Sequence, residues 1–235
     1  MQESIFDRLD PARVEKARRR LGGDLRGHVE PVGLHGDLER LLEPPRLARD
    51  PDREPPFFFM KPADAIVMSG AAIPYPQMTK DLHHEIEMIV AIGKGGSDIP
   101  VEKALDHVFG YGVGLDMTRR DLQGEAKKMG RPWEMGKAFD NSAPCTALKT
   151  VAMVGHPAKG AIWLKVNGEF RQQGDLAEMI WNVPETISYL SKLITLRAGD
   201  VIMSGTPAGV GPVKAGDTLE GHVENVGDLS LTYRK

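Results

Sequence analysis

Glu85 and Glu87 interrupt an otherwise apolar stretch that extends to Ile92. In a β-strand the side chains alternate between two faces, so both glutamates would point to the face that Ile89 and Ala91 continue. That face is expected to be partly buried, where two carboxylates lose hydration and repel each other unless a cation compensates. A divalent metal ion would compensate both charges. By itself, the segment is explained equally well by a half-exposed edge strand with two solvated glutamates.

A third acid, Asp116, ends a second strand-like segment, residues 110–117, and shares one face of it with Gly112 and Gly114. The missing glycine side chains are expected to leave room for a ligand beside the carboxylate. Three carboxylates and water form an all-oxygen ligand set. Such a set suits Mg²⁺ or Mn²⁺, with Ca²⁺ less favoured, and it does not suit zinc.

Two histidines, His83 and His84, directly precede the glutamates. Consecutive residues of a strand point to opposite faces, and the helical His-Glu-x-x-His spacing of zinc enzymes is absent. We therefore interpret both histidines as packing groups, or as groups that orient the metal ligands.

Cationic and amide side chains cluster in the sequence around the three acids. Arg119 and Arg120 follow the third acid, Gln123 comes one helical turn later, Lys137 lies further on, and Lys61 precedes the acidic strand. Each cation alone is typical of a solvated surface. Together with three carboxylates and a divalent ion, they predict a pocket for a dicarboxylate or an oxo acid.

Residues 204–212 form a segment rich in glycine and proline, with Thr206 near its start. No lysine follows the glycines and no helix is expected to begin there, so the segment is not a phosphate-binding loop. It predicts a turn-rich loop between strands. Taken alone, it is interpreted as the structural tip of a hairpin.

Short apolar runs separated by glycine turns predict a chain that is mostly β. The predicted strands are Ile86–Ile92, residues 110–117, Ala161–Val166, Val201–Met203 and residues 229–233. The predicted helices are residues 101–108, 118–129 and 184–194, and one that starts after Asp10. Strands do not alternate with long helices, so the fold class is α+β and mostly β, not a doubly wound parallel sheet.

Composition limits the remaining classes. The 235 residues carry a net charge of −3 and 6% aromatic residues, which does not favour a nucleic-acid partner. No apolar run approaches the roughly 20 residues that a membrane span needs. A single cysteine, Cys145, excludes a disulfide framework, and the start of the chain lacks a signal peptide, so a cytoplasmic protein is expected. Residues 1–56 are predicted to form an N-terminal helix and an irregular lid or linker, and residues 57–235 the metal-dependent catalytic domain.

From residue 50 to residue 234, this sequence resembles the fumarylacetoacetate hydrolase family. The segments that carry the resemblance are residues 82–87, 115–123, 132–139 and 204–211. The resemblance implies a mixed β-roll catalytic fold and a homodimer. It also implies that Mg²⁺ or Mn²⁺ is held by Glu85, Glu87 and Asp116. Substrate contacts are implied for four further residues, namely Arg120, Gln123, Lys137 and Thr206.

Within the family, residues 50–59 look most like the fumarylpyruvate hydrolases of bacterial aromatic catabolism. The activity implied is hydrolysis of the C–C bond of an acylpyruvate, a 2,4-dioxo acid, to pyruvate and a carboxylic acid through a metal-stabilised enolate. One alternative is an oxaloacetate decarboxylase or tautomerase, which uses the same core site without attack by water. The other is a family member that binds metal but is catalytically impaired.

One segment departs from the family. Its Val-Gly-Arg-Asn-Tyr motif, followed by a His and a Glu three residues apart on a lid, is replaced after Gly33 by a different sequence. His35 and Glu39 are the only stand-ins, and a helical turn would put them on one face. Lys137, His35 and Glu39 are therefore the candidate catalytic residues, and residues 34–50 are predicted to be non-standard.

Overall fold

The computed structural model describes the backbone of residues 31–35 and all atoms of residues 53–235. The helix predicted after Asp10, Glu39 and most of the predicted lid segment lie outside the described residues. Among the helices that are described, none is long and apolar enough to cross a membrane.

The described residues form sixteen strands in three sheets. The strands are β1 Pro31–His35, β2 Phe57–Met60, β3 Ile66–Met68, β4 Ala71–Pro74, β5 Leu82–His84, β6 Ile86–Ile92, β7 Val108–Leu115, β8 Thr118–Arg119, β9 Ala143–Cys145, β10 Lys149–Thr150, β11 Ala161–Val166, β12 Glu169–Asp175, β13 Val201–Met203, β14 Gly211–Val213, β15 Thr218–Val223 and β16 Gly227–Arg234. The predicted class, α+β and mostly β, is confirmed.

The largest sheet has eight strands in the order β2-β1-β13-β6-β7-β9-β3, with β10 also paired to β7. The five-stranded sheet has the order β12-β11-β15-β16-β4, and the third sheet has the order β14-β5-β8. All seven residues of β6 are buried, as its nearly continuous apolar sequence requires. One face of β6 contributes Met88 and Val90 to the main core, which also receives Leu164 and Leu231 from the five-stranded sheet.

The opposite face of β6, which carries the glutamates, is also buried. Ile89 packs there in a smaller cluster with Ala65, Ile66, Ala143, Cys145 and Val201. A Cβ atom at Gly114 would lie 2.7 Å from Cδ1 of Ile89. The prediction that this glycine leaves room for a ligand is therefore wrong, because Ile89 packs into the space.

The third sheet places the acids. Glu85 lies between β5 and β6, where the chain passes from the three-stranded sheet to the eight-stranded sheet. Asp116 directly follows β7, and the chain then pairs with β5 through β8. A hydrogen bond of 2.9 Å from the Asp116 amide to the Glu85 carbonyl joins the two crossings. Both carboxylates therefore lie where the chain crosses between the three-stranded sheet and the eight-stranded sheet.

The described α-helices are α1 Arg120–Lys128, α2 Glu134–Lys137, α3 Val151–Val154 and α4 Val183–Leu193. α1 begins two residues later than predicted, because Thr118 and Arg119 pair with β5. Val101–His107, predicted as an α-helix, is a 3₁₀ helix. The predicted third helix is confirmed as α4, which starts with a capping box between Asn182 and Glu185.

β1 belongs to the large sheet, in which it pairs parallel to β13 and antiparallel to β2. Five residues that composition grouped with the N-terminal segment thus lie inside the large sheet. His35 is the last residue of this strand and pairs with Phe57. The backbone is therefore extended at His35, and the residues of the turn expected to join His35 to Glu39 lie outside the described part of the chain.

Candidate metal centre

The three acids predicted from separate segments meet in the interior. One carboxylate oxygen from each of Glu85, Glu87 and Asp116 lies within 4.8 Å of the other two, and all three side chains are fully buried. The glutamates alternate with Ile86 as in a strand, and the crossing after β7 brings Asp116 beside them. The edge-strand alternative, with solvated glutamates, is excluded by this burial.

Lys137, at the end of α2, ties two of the acids together. Its Nζ donates to Glu85 Oε2 at 2.7 Å, to Asp116 Oδ2 at 2.6 Å and to Thr118 Oγ1 at 2.7 Å. Burial by itself would lower the pKa of Lys137, but the two carboxylates outweigh it and the pKa is raised. The ammonium group is therefore charged, and it fixes the positions of both carboxylates.

Lys61 is a second fully buried cation at this centre. Its Nζ lies 2.7 Å from Asp116 Oδ1 and donates to the carbonyl oxygens of Met117 and Lys137. Burial lowers its pKa, although the nearby Asp116 opposes the shift. The sequence placed Lys61 among the nearby cations but not among the site residues, because a lysine just after strand β2 is usually exposed.

Glu87 is the least compensated of the acids. Its Oε2 accepts a hydrogen bond of 2.7 Å from the Gly205 amide, whereas its buried Oε1 has no hydrogen-bond partner in the described part of the chain. Burial, reinforced by the adjacent Asp116 and Glu85, raises the pKa of Glu87 well above its usual range. A buried oxygen without a partner beside two further carboxylates fits a divalent cation with oxygen ligands.

Arg120 and Gln123 form one side of the centre from α1. Arg120 Nη2 donates to Glu85 Oε1, and Nη1 donates to Gln123 Oε1 at 2.7 Å. His83 accepts from Arg120 Nε at 3.3 Å and also contacts Asp81 at 3.0 Å. The Gln123 oxygen is thus occupied, while its buried Nε2 has no partner within the described residues and is available to a ligand.

Thr206 lies in the loop between β13 and β14, which contacts the centre through the neighbouring Gly205. Gly205, which precedes it, adopts φ +93°, a conformation that favours glycine, and its amide contacts Glu87. The Thr206 hydroxyl accepts a hydrogen bond of 2.7 Å from Gln172 Nε2. The hairpin-tip interpretation of this loop is wrong, because β13 and β14 belong to different sheets, and the loop contacts Glu87 through the Gly205 amide.

Gln172, on β12, was not predicted as a site residue. Its side chain is buried and contacts His84, Ile86 and the Thr206 loop. A polar residue on the inward face of a strand could have indicated it, but Arg171, Gln173 and Asp175 are also polar, so β12 has no apolar face in the sequence. The histidines do not join the acids, in agreement with their interpretation as packing or orienting groups.

The candidate catalytic dyad is described only in part. His35 ends β1, where only the backbone is described, and Glu39 lies outside the described residues. Of the three candidate catalytic residues, the structure therefore places Lys137 at the centre, and the roles of His35 and Glu39 stay predictions.

The chain matches the family model "Fumarylacetoacetate (FAA) hydrolase C-terminal" over residues 28–233. It is a member of the fumarylacetoacetate hydrolase family, whose members include hydrolases and tautomerases.

Three relatives illustrate the range of activities in the family. The crystal structure of fumarylpyruvate hydrolase from Pseudomonas aeruginosa, in complex with Mn²⁺ and pyruvate, has a TM-score of 0.80 and 48% sequence identity, with 91% of this chain and 93% of that chain covered. The oxaloacetate tautomerase FAHD1 of Homo sapiens, a mitochondrial protein, is 45% identical over 179 residues, or 76% of this chain and 80% of that protein. A mitochondrial oxaloacetate tautomerase of Oryza sativa, FAHD2, is 40% identical over 189 residues, with 79% and 84% covered.

Proposed function

We propose that this protein hydrolyses the C–C bond of an acylpyruvate, a fumarylpyruvate-like 2,4-dioxo acid, to pyruvate and a carboxylic acid. The observation that carries the proposal is the buried centre of Glu85, Glu87 and Asp116, in which Glu87 Oε1 has no hydrogen-bond partner among residues 53–235. The likeness to a fumarylpyruvate hydrolase with bound Mn²⁺ and pyruvate supports both the reaction and the type of cofactor.

The proposed cofactor is Mg²⁺ or Mn²⁺, held by the three carboxylates. A bound divalent cation supplies Lewis acidity, which stabilises the enolate formed when a bond to C3 of a 2-oxo acid breaks. The chain itself orders the ligands beforehand. Lys137 and Lys61 hold Asp116 from two sides, and Arg120 holds Glu85, so little rearrangement is needed when the ion binds.

The charge of the centre supports a dianionic substrate. The three carboxylates are balanced by three cations, Lys61, Lys137 and Arg120. A divalent ion therefore leaves the centre with two excess positive charges, which a dicarboxylate neutralises. Gln123 Nε2 and the hydroxyl of Thr206 add neutral donors for its carboxylate or oxo oxygens.

Hydrolysis needs one water molecule. Its oxygen adds to the C4 carbonyl, the C3–C4 bond breaks, and the bonding electron pair leaves on C3 as pyruvate enolate. The enolate then takes a proton to give pyruvate, and the acyl part leaves as a carboxylic acid. The residues proposed for activating the water are His35 and Glu39, while Lys137 positions the carboxylates of the centre.

A second candidate activity is the decarboxylation or tautomerisation of oxaloacetate. It needs the same enolate but no attack by water, so it does not depend on a base that activates water. The replacement of the family's lid motif after Gly33 favours it, as do the curated relatives named oxaloacetate tautomerases.

The test is the loss of the ultraviolet enol absorbance of acetylpyruvate and fumarylpyruvate, with Mn²⁺, with Mg²⁺ and with a chelator. Metal-dependent release of pyruvate is the expected result. If neither these substrates nor oxaloacetate reacts while Mn²⁺ still binds, the protein is instead a metal-binding member without catalysis. The predicted homodimer and cytoplasmic location remain predictions.

A further inference from the structure

Gln172 makes hydrogen bonds with every polar group of its side chain. Oε1 accepts from the Ile86 amide at 3.1 Å and lies 2.8 Å from His84 Nδ1. Nε2 donates to Thr206 Oγ1 at 2.7 Å and to the Pro207 carbonyl at 2.8 Å. The backbone partners fix the orientation of the amide, since an N–H must face the oxygen end and a carbonyl must face the nitrogen end.

These contacts join three sheets. Gln172 lies on β12 of the five-stranded sheet, His84 on β5 of the three-stranded sheet and Ile86 on β6 of the large sheet. The loop between β13 and β14 packs tightly against the same strand. A Cβ atom at Gly209 would lie 2.2 Å from the Arg171 carbonyl oxygen, so the loop backbone rests directly on β12.

The direction of the bond to Thr206 determines what its hydroxyl can do. The Thr206 oxygen accepts from Gln172, so the hydroxyl hydrogen must point elsewhere. Thr206 directly follows Gly205, whose amide donates to the buried Glu87, so the Thr206 hydroxyl is carried by the same loop that contacts the acid centre. An acceptor group in place of the Gln172 amide nitrogen would instead accept the Thr206 hydroxyl hydrogen and turn it away from the centre.

We propose that Gln172 is a positioning residue that holds the Thr206 hydroxyl as a donor to an anionic oxygen of a bound 2-oxo acid. This inference rests on the proposed function, because it needs a 2-oxo acid at the acid centre. Gln172 itself does not touch the substrate. It acts on binding through Thr206 and through its contact with Ile86, which lies between Glu85 and Glu87.

Two substitutions of Gln172 separate this role from a structural one. Gln172→Glu keeps an acceptor for Ile86 and His84 but, when ionised, takes the Thr206 hydrogen for itself. Gln172→Met removes every hydrogen bond and leaves Ile86 and His84 unpaired, but it does not capture the Thr206 hydrogen. Stability should therefore be lower in Gln172→Met, whereas affinity for a 2-oxo acid should be lower in Gln172→Glu.

The experiment measures calorimetric binding of pyruvate to the Mn²⁺-loaded protein, the thermal midpoint, and the KM of acetylpyruvate, at alkaline pH where the new carboxylate is ionised. We expect Gln172→Glu to weaken pyruvate binding by about 10- to 100-fold and Gln172→Met by only a few-fold. Thr206→Val should lose as much pyruvate affinity as Gln172→Glu, whereas Thr206→Ser should retain binding. The double variant with Gln172→Glu and Thr206→Val should bind no more weakly than either single variant. Gln173→Glu, an exposed neighbour with the same charge change, is the matched control.

The inference would be overturned if the variants with the lowest thermal midpoints also lost the most pyruvate affinity, or if the losses in affinity added in the double variant. Either result would leave the proposed function intact. A wild type that binds pyruvate and shows the expected pattern, yet turns over no 2-oxo acid, would overturn the proposed function alone. A wild type that binds no pyruvate would overturn the inference.

Discussion

At the scale of single residues, the centre is a balance of buried charges rather than a set of isolated ligands. Asp116 lies between Lys61 and Lys137, at 2.7 and 2.6 Å, and all three side chains are fully buried. Glu87 is the exception: within the described residues its carboxylate accepts a hydrogen bond only from the Gly205 amide, and burial outweighs both this bond and the attraction of Lys137. Removing one group from such a network exposes the charge of its partners, so the effects of substitutions there are not additive.

Glu87→Gln is predicted to weaken Mn²⁺ binding by more than about 100-fold, because loss of a direct ligand exceeds the loss caused by its supporting groups. The metal-free variant should be at least as stable as the wild type near neutral pH. Burial raises the pKa of Glu87, so its ionisation costs stability as the pH rises, and a neutral amide has no such cost. Calorimetry and thermal unfolding with and without Mn²⁺ measure both effects.

The matched control is Glu169→Gln, which removes a carboxylate that is 72% exposed. It should leave Mn²⁺ affinity unchanged. Wild-type affinity in Glu87→Gln would show that Glu87 is not a ligand.

Lys137→Ala is predicted to reduce kcat/KM about tenfold more for the dianion fumarylpyruvate than for the monoanion acetylpyruvate. The lysine supplies one of three cations that balance the carboxylates, and a second substrate charge makes its loss more costly. Steady-state kinetics on both substrates measure the ratio, with the exposed Lys103→Ala as the control. An equal decrease in kcat/KM for the two substrates would show that Lys137 does not contribute to recognition of the second carboxylate.

At the scale of elements, two crossings between sheets create the centre. β5 continues into β6 at Glu85, and β7 continues towards β8 at Asp116, so the acids lie where neither chain is held in a regular ladder. The helices contribute from outside: α1 supplies Arg120 and Gln123, and α2 ends at Lys137. α4 stabilises the molecule from a different place, through its buried residues and its capped start.

Asn182→Ala is predicted to lower the free energy of unfolding by about 1 kcal/mol, because the Asn182 side chain accepts from the Glu185 amide at the start of α4. The corresponding decrease in the thermal midpoint is about 2–4 °C for a domain of this size. Asn182→Asp keeps the acceptor and should retain most of the stability. An unchanged midpoint in the alanine variant would show that the cap is dispensable.

At the scale of the whole molecule, one centre serves two candidate reactions, and the base for water activation separates them. We predict that, compared with family members that keep the lid motif, the Mn²⁺-loaded protein hydrolyses fumarylpyruvate weakly and preserves the tautomerisation or decarboxylation of oxaloacetate relatively better. His35→Ala should reduce the remaining hydrolysis by about 100-fold or more, the contribution of a general base, with little effect on oxaloacetate. Parallel assays of pyruvate release and of oxaloacetate enol decay provide the comparison.

Efficient fumarylpyruvate hydrolysis by the wild type would contradict this division of the two reactions. Hydrolysis that is unaffected by His35→Ala would remove His35 from the mechanism. Either result would assign water activation to a different group.

The sequence by itself determined the mostly β class, the principal strands and the identity of the three acids. Alternation along a strand is a local property, and it put Glu85 and Glu87 on one face before any contact was known. An apolar strand on both faces also indicated burial, which β6 confirms.

Only the tertiary structure decided which groups compensate the acids. Lys61 precedes Glu85 by 24 positions and Gln172 follows it by 87. No local pattern indicates that Lys61 becomes buried beside Asp116, or that Gln172 becomes buried beside the loop that carries Thr206. The role of Gly114 was also misjudged, because the room beside a glycine is filled by whichever side chain the neighbouring strand presents, and here that side chain is Ile89. Strand periodicity fixes the direction of a side chain, but the pairing of distant strands fixes what it meets.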